Sequence, residues 1–160
     1  MWDMSKNLGY AFDDDKYNRL VLLFEPTFAT YIDRLVQEKS ALFAGDRHFI
    51  GFYLDNELPF ASYQNADPLR GIDLKHFLSL PERYKAAREY AEKFMRDNGI
   101  ASTGVITKKN QEDFRGMVAD YYYQLTTATV RRYDKEHLIL GTRLHDWSKY
   151  NQKVLSLIHI

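Results

Sequence analysis

No cysteine occurs in the chain, so disulfides, thiol nucleophiles and thiolate metal sites are all excluded. Compartment stays open on this ground, because a cysteine-free chain suits the cytosol and the periplasm alike. Charge of one sign is missing too, since 22 lysines and arginines face 22 aspartates and glutamates. Without a basic face there is no electrostatic footprint for a nucleic acid, and none is expected as a partner. Long apolar runs are also lacking. Residues Leu20 to Phe24 and Leu138 to Leu140 fall far short of the roughly 20 residues that span a bilayer. The first residues carry no basic stretch followed by an apolar one, as a signal peptide would. A soluble chain is therefore expected. Internal repeats and low-complexity tracts are absent as well.

Aromatic residues, by contrast, are plentiful: 12 tyrosines, 10 phenylalanines and 2 tryptophans in 160 residues. Flat rings stack on the C–H faces of pyranoses, which suits sugar binding, but rings in a core have the same sequence signature. Hydrophobic residues make up 45% of the chain, enough for one globular unit with a sizeable core.

Along the chain, Leu20 to Phe24 reads as a short buried strand. Pro26 then suits a first helical turn, and Phe28, Tyr31, Ile32, Leu35 and Val36, extended by Leu42 and Phe43, follow the three-and-four spacing of one apolar face. His48 to Leu54 is dense in aromatic and aliphatic residues without polar alternation, the pattern of a strand buried on both faces in a parallel sheet. It stops at Asp55, Asn56 and Glu57, and Pro59 forbids further ladder pairing. A loop is expected from about Phe60 to Gly71 and a short helix over Ile72 to Leu80. A longer helix opens at Pro81-Glu82, with Tyr84, Ala87, Tyr90, Ala91, Phe94 and Met95 on one face, and closes at Asn98-Gly99. A polar connector, Ala101 to Asn110, precedes the longest helix, which presents Phe114, Met117, Val118, Tyr121, Tyr122, Leu125 and Ala128 as far as about Tyr133. After a turn at Asp134 to Glu136, His137 to Gly141 reads as a second buried strand, followed by the polar cluster Thr142, Arg143, His145, Asp146 and Trp147. This β/α series implies an α/β fold whose crossovers are right-handed and whose active groups collect at the C-terminal ends of the strands.

Two strands thus end in polar clusters, and one offers a carboxylate directly after an asparagine. In a barrel such groups line the mouth. The alternative is that Asp55 and Asn56 cap the next turn and Glu57 lies on the surface. A metal site is disfavoured, because His145 and Asp146 have no second histidine at ligand spacing. His48 and His137 precede apolar strands and read as structural.

The segment Phe49-Ile-Gly-Phe-Tyr-Leu-Asp-Asn-Glu-Leu-Pro-Phe60 resembles the fourth-strand signature of clan A glycoside hydrolases, most closely the agarase-like branch. Leu22-Leu-Phe-Glu-Pro-Thr-Phe28 is similar to the entrance to the preceding helix in that family, and Tyr133-Asp-Lys-Glu-His-Leu-Ile-Leu-Gly-Thr-Arg143 to its fifth strand. The resemblance covers about residues 20 to 154. It implies a partial, truncated (β/α)8 barrel comprising the third through fifth β/α units in residues 1–154. The implied substrate is a β-linked polysaccharide or oligosaccharide such as agarose or a related galactan, with no cofactor. Glu57 would be the general acid and then the general base of a retaining hydrolysis, and Asn56 would hold the sugar 2-hydroxyl. Asp55 would either support the site from behind Asn56 and Glu57 or be structural. Arg143, His145 and Trp147 would serve as substrate-binding residues, with ion pairing or packing as their alternative role. The nucleophile, expected on the seventh strand, would lie beyond the chain, so the fragment itself is expected to be inactive. Residues 155–160 resemble a translated sequencing-library end and are set aside as a non-native tail, with a real apolar start of the fifth helix as the alternative. A periplasmic or extracellular location is expected for the full-length enzyme. The rival readings are a non-catalytic carbohydrate-binding barrel and a hydrolase that uses Asp55 together with Glu57.

Overall fold

The computed structural model describes residues 19–56 and 72–143. Among these residues the order is a 3-10 helix (Arg19–Phe24), helix α1 (Pro26–Ala41), strands β1 (Gly51–Phe52) and β2 (Asp55–Asn56), and helices α2 (Leu74–Leu78), α3 (Lys85–Asp97) and α4 (Lys108–Tyr133). Strands β3 (Leu138–Ile139) and β4 (Thr142–Arg143) follow. Single-turn 3-10 helices precede α3 and α4.

The helices begin where local chemistry satisfies their unpaired N–H groups. Pro26 starts α1 with a ring that fixes φ and a missing donor that costs nothing there. Asp73 caps α2 by accepting from the N–H groups of Lys75 and His76. Thr107 and Asn110 form a reciprocal capping box at the start of α4. Gly99, with φ of 64°, ends α3 in the left-handed region.

The core lies between these helices. Phe114 of α4 is fully buried and meets Phe77 and Phe94 edge-on at ring-centroid distances of 5.2 and 5.4 Å. Tyr84, Ala87, Ala91, Phe94 and Met95 bury the expected face of α3, and Tyr90 is partly covered. Helix α4 packs along α1, and at its end Arg132 and Tyr133 both reach the carboxylate of Asp33.

The strands form one parallel ribbon in two short pieces, β1 with β3 and β2 with β4. Gly51 pairs with Leu138, Phe52 with Ile139, Asp55 with Thr142 and Asn56 with Arg143, so both pieces keep the same sequence offset. Between them Gly141 takes φ of 75° and the regular ladder lapses, although Leu54 N–H still bonds to the Gly141 carbonyl at 2.8 Å.

Several expectations are corrected. Leu20 to Phe24 is a 3-10 helix, with Leu22 and Leu23 buried. A short apolar run carries no period by which to tell a strand from a helical turn. His48 to Leu54 and His137 to Gly141 pair in parallel, but they are not buried on both faces: Ile50 is 71%, Tyr53 58% and Leu138 56% exposed. Leu42 lies beyond the end of α1 and is exposed, while Phe43 is half-buried. On α4, Ala128 is exposed and Tyr121 38% exposed, whereas Tyr123 is buried. A 26-residue helix packed on more than one side needs a wider buried surface than one stripe. The loop expected over Phe60 to Gly71 lies outside the described residues.

Candidate active site at the strand ends

Parallel pairing brings the C-terminal ends of the two polar-tipped strands side by side. Asn56 closes β2 and Arg143 closes β4, and their backbones are register partners. The Arg143 side chain is exposed. Glu57, His145 and Trp147 lie outside the described residues. Two of the five residues singled out as catalytic or substrate-binding, Asn56 and Arg143, are thus adjacent through the ladder, although they lie 87 positions apart in the chain.

Asp55 stands just before this end and is engaged from the helix layer. The Tyr122 hydroxyl on α4 reaches Asp55 Oδ2 at 3.2 Å and the Leu54 carbonyl oxygen at 3.3 Å. Burial, and then the nearby Asp55 carboxylate, push the Tyr122 phenol well above the ordinary tyrosine range, so it remains a proton donor. This supports the structural role expected of Asp55. Thr142, its partner across the ladder, is buried, and its hydroxyl has no hydrogen-bond partner among the described residues. By its spacing in the sequence Tyr122 is an apolar-face residue of α4. Nothing in its spacing marks a contact 67 residues away.

The opposite end of the ribbon is built around His137. Its Nδ1 lies 2.7 Å from Asp134 Oδ2 and its Nε2 3.2 Å from the Asp46 carbonyl oxygen. Both ring nitrogens therefore face acceptors, which favours the imidazolium. The hydrogen bond to Asp134 and then that to the Asp46 backbone raise the His137 pKa. Burial alone would push Asp134 upward, but N–H groups of His137 and Glu136 and the His137 ring outweigh it and hold Asp134 low. Phe49 packs edge-on against the imidazole at 5.1 Å and stacks on Phe43 at 4.1 Å. His137 is structural, as expected. His48 is exposed, and its backbone N–H donates to Asp46 Oδ1.

Among the described residues there is no group of three potential metal-ligating side chains, and no helix long and apolar enough to cross a membrane.

No family model and no curated protein matches the chain. Among solved structures, the crystal structure of BpGH50, a glycoside hydrolase family 50 protein, matches with a TM-score of 0.73 and 26% identity, over 98% of this chain and 34% of that one. The chain therefore spans about a third of the length of that protein. The likeness supports a glycoside hydrolase relationship and agrees with an α/β fold made mostly of helices with a few strands.

Proposed function

We propose that residues 1–154 are the third through fifth β/α units of a (β/α)8-barrel glycoside hydrolase that cleaves a β-linked polysaccharide such as agarose or a related galactan with retention. The observation that carries this reading is the parallel register of β2 and β4, which sets Asn56 beside Arg143 at the ends of two strands followed by polar clusters. The likeness to BpGH50 supports the same class.

In this reading Glu57 protonates the departing glycosidic oxygen and later deprotonates the attacking water. Asn56 bonds the sugar 2-hydroxyl, an interaction that strengthens as positive charge develops at the anomeric carbon; a neutral amide both donates and accepts there. Arg143, His145 and Trp147 bind neighbouring sugar units. A retaining site needs a second carboxylate about 5–5.5 Å from the first, and that nucleophile belongs to a later strand of the whole protein. The rival pairing of Asp55 with Glu57 is disfavoured, because the Asp55 carboxylate is taken up by a buried phenol on the helix side.

The test is Glu57→Gln in the full-length protein. Hydrolysis of agarose oligosaccharide should fall by several orders of magnitude, because proton delivery is lost while the nucleophile survives. Azide should restore part of the turnover of an activated aryl glycoside. Near wild-type hydrolysis of the oligosaccharide by Glu57→Gln would exclude Glu57 as acid/base. Binding without hydrolysis by the unmutated protein would favour the carbohydrate-binding alternative.

A further inference from the structure

We infer that Tyr122 is a positioning residue of the strand-end site: its hydroxyl, delivered by α4, holds Asp55 and the Leu54 carbonyl and so sets the course of the backbone into Asn56, the last described residue before the proposed acid. The inference rests on the glycosidase reading above and adds to it a residue from the helix layer.

Three observations carry it. The phenol is 2% exposed, so water has little access to replace its hydroxyl at the strand end. Its single proton is shared between a side-chain and a main-chain acceptor of consecutive residues, at 3.2 and 3.3 Å, which restrains the backbone as well as the carboxylate. The ladder at this end is short among the described residues. Gly141 interrupts the regular pairing just before it, which leaves Asp55 with Thr142 and Asn56 with Arg143 as its two register pairs.

Asp55 is two residues before Glu57 in the chain. An error in backbone direction at Asp55 is therefore passed on to the proposed acid. The ring of Tyr122 belongs to the core, packed edge-on to Tyr123 at 5.3 Å, and α4 is a long, well-capped helix. A rigid element of this kind is what a site needs in order to hold a proton donor in place.

The experiment compares wild type, Tyr122→Phe, Asp55→Ala and the double variant in the full-length protein. Tyr122→Phe keeps the buried ring and removes only the hydroxyl, so the fold is retained. Its kcat on agarose oligosaccharide should drop about tenfold with KM within about twofold, since misplacing a catalytic group by a fraction of an ångström is felt in turnover. The loss should be much smaller on an aryl galactoside whose leaving group needs no proton. That leaving-group dependence separates positioning of the acid from general destabilisation, which would lower both rates alike. Asp55→Ala, which removes the side-chain acceptor, should lower kcat in the same direction, and the double variant should lose little more than Tyr122→Phe alone, because the bond between the two side chains is already gone in it. Equal losses on both substrates, an unchanged kcat, or multiplicative losses in the double variant would overturn the inference. If wild type hydrolyses neither substrate, the glycosidase reading fails on its own. The anchor is then read from amide exchange of the segment 53–56, which should quicken in Tyr122→Phe; unchanged exchange would overturn the anchor as well.

Discussion

Replacing Gly51 by alanine tests the closest approach in the ribbon. A Cβ built on Gly51 falls 2.2 Å from the Leu138 carbonyl oxygen, 2.8 Å from its carbon and 2.9 Å from the Leu138 Cβ. Two of these three atoms are backbone, so no rotamer change relieves the clash. Non-bonded heavy atoms attract at about 3.5 Å, and the strands would have to part by more than about 1 Å. Overpacking of this kind costs about 1–3 kcal/mol. Parting the strands also weakens the bonds from Leu138 N–H to the Ile50 carbonyl, from Leu140 N–H to the Phe52 carbonyl and from Leu54 N–H to the Gly141 carbonyl. At about 1 kcal/mol each, these bring the expected loss to about 4–6 kcal/mol, a large share of a domain's typical stability. Urea unfolding followed by aromatic fluorescence measures it. Gly104→Ala is the control, since its new methyl group would meet only Ser102 Oγ at 3.7 Å, and it should change stability by less than about 0.5 kcal/mol. If Gly51→Ala matches the control, the strands do not approach at Gly51 as described.

Phe114→Ala should cost about 3–5 kcal/mol, because it empties a fully buried site between Phe77 and Phe94; a loss below about 1 kcal/mol in the same urea assay would show that this core is not packed as described. His137 sets a pH window for stability. Its pKa is raised above the ordinary 6.5 when folded, so its contribution is complete below pH 6.5 and fades as pH rises through the raised value. Asp134 is lowered below 3.8, so its contribution is present above pH 3.8 and is lost as pH falls through the lowered value. The pair should therefore stabilise most between about pH 3.8 and 6.5, and His137→Gln should flatten the alkaline side of a melting-temperature profile carried above pH 6.5 through the raised His137 value. A profile unchanged by His137→Gln would refute the ion pair.

Local chemistry made the helices legible in the sequence. Pro26, the three-and-four spacing through Val36, the apolar face from Tyr84 to Met95 and the stop at Asn98-Gly99 all report on contacts within a turn or two, and α1 and α3 follow them closely. The parallel sense of the strands was legible for a related reason, since β-rich runs separated by helices require crossover connections. The polar tips at Asp55, Asn56 and Arg143 could be read as a site because strand ends are where barrels and open α/β sheets gather function.

Tertiary structure decided the rest. Whether Leu20 to Phe24 became a strand or a 3-10 helix depended on neighbours that a five-residue apolar run does not encode. Exposure of Ile50, Tyr53 and Leu138 depended on which faces of the ribbon are covered, which composition leaves open. Tyr121, Tyr122 and Tyr123 are identical in type and consecutive in sequence, yet one is exposed, one bonds Asp55 and one fills the core. Successive helical positions point about 100° apart, so only the packing of α4 against its neighbours could assign those three fates. Residue pattern alone marked helices α1, α3 and α4 and the polar strand ends. The union of Asp55 with Tyr122, and of His137 with Asp46 and Asp134, came from three-dimensional packing, because hydrogen bonds need atoms within about 3 Å whatever their distance along the chain.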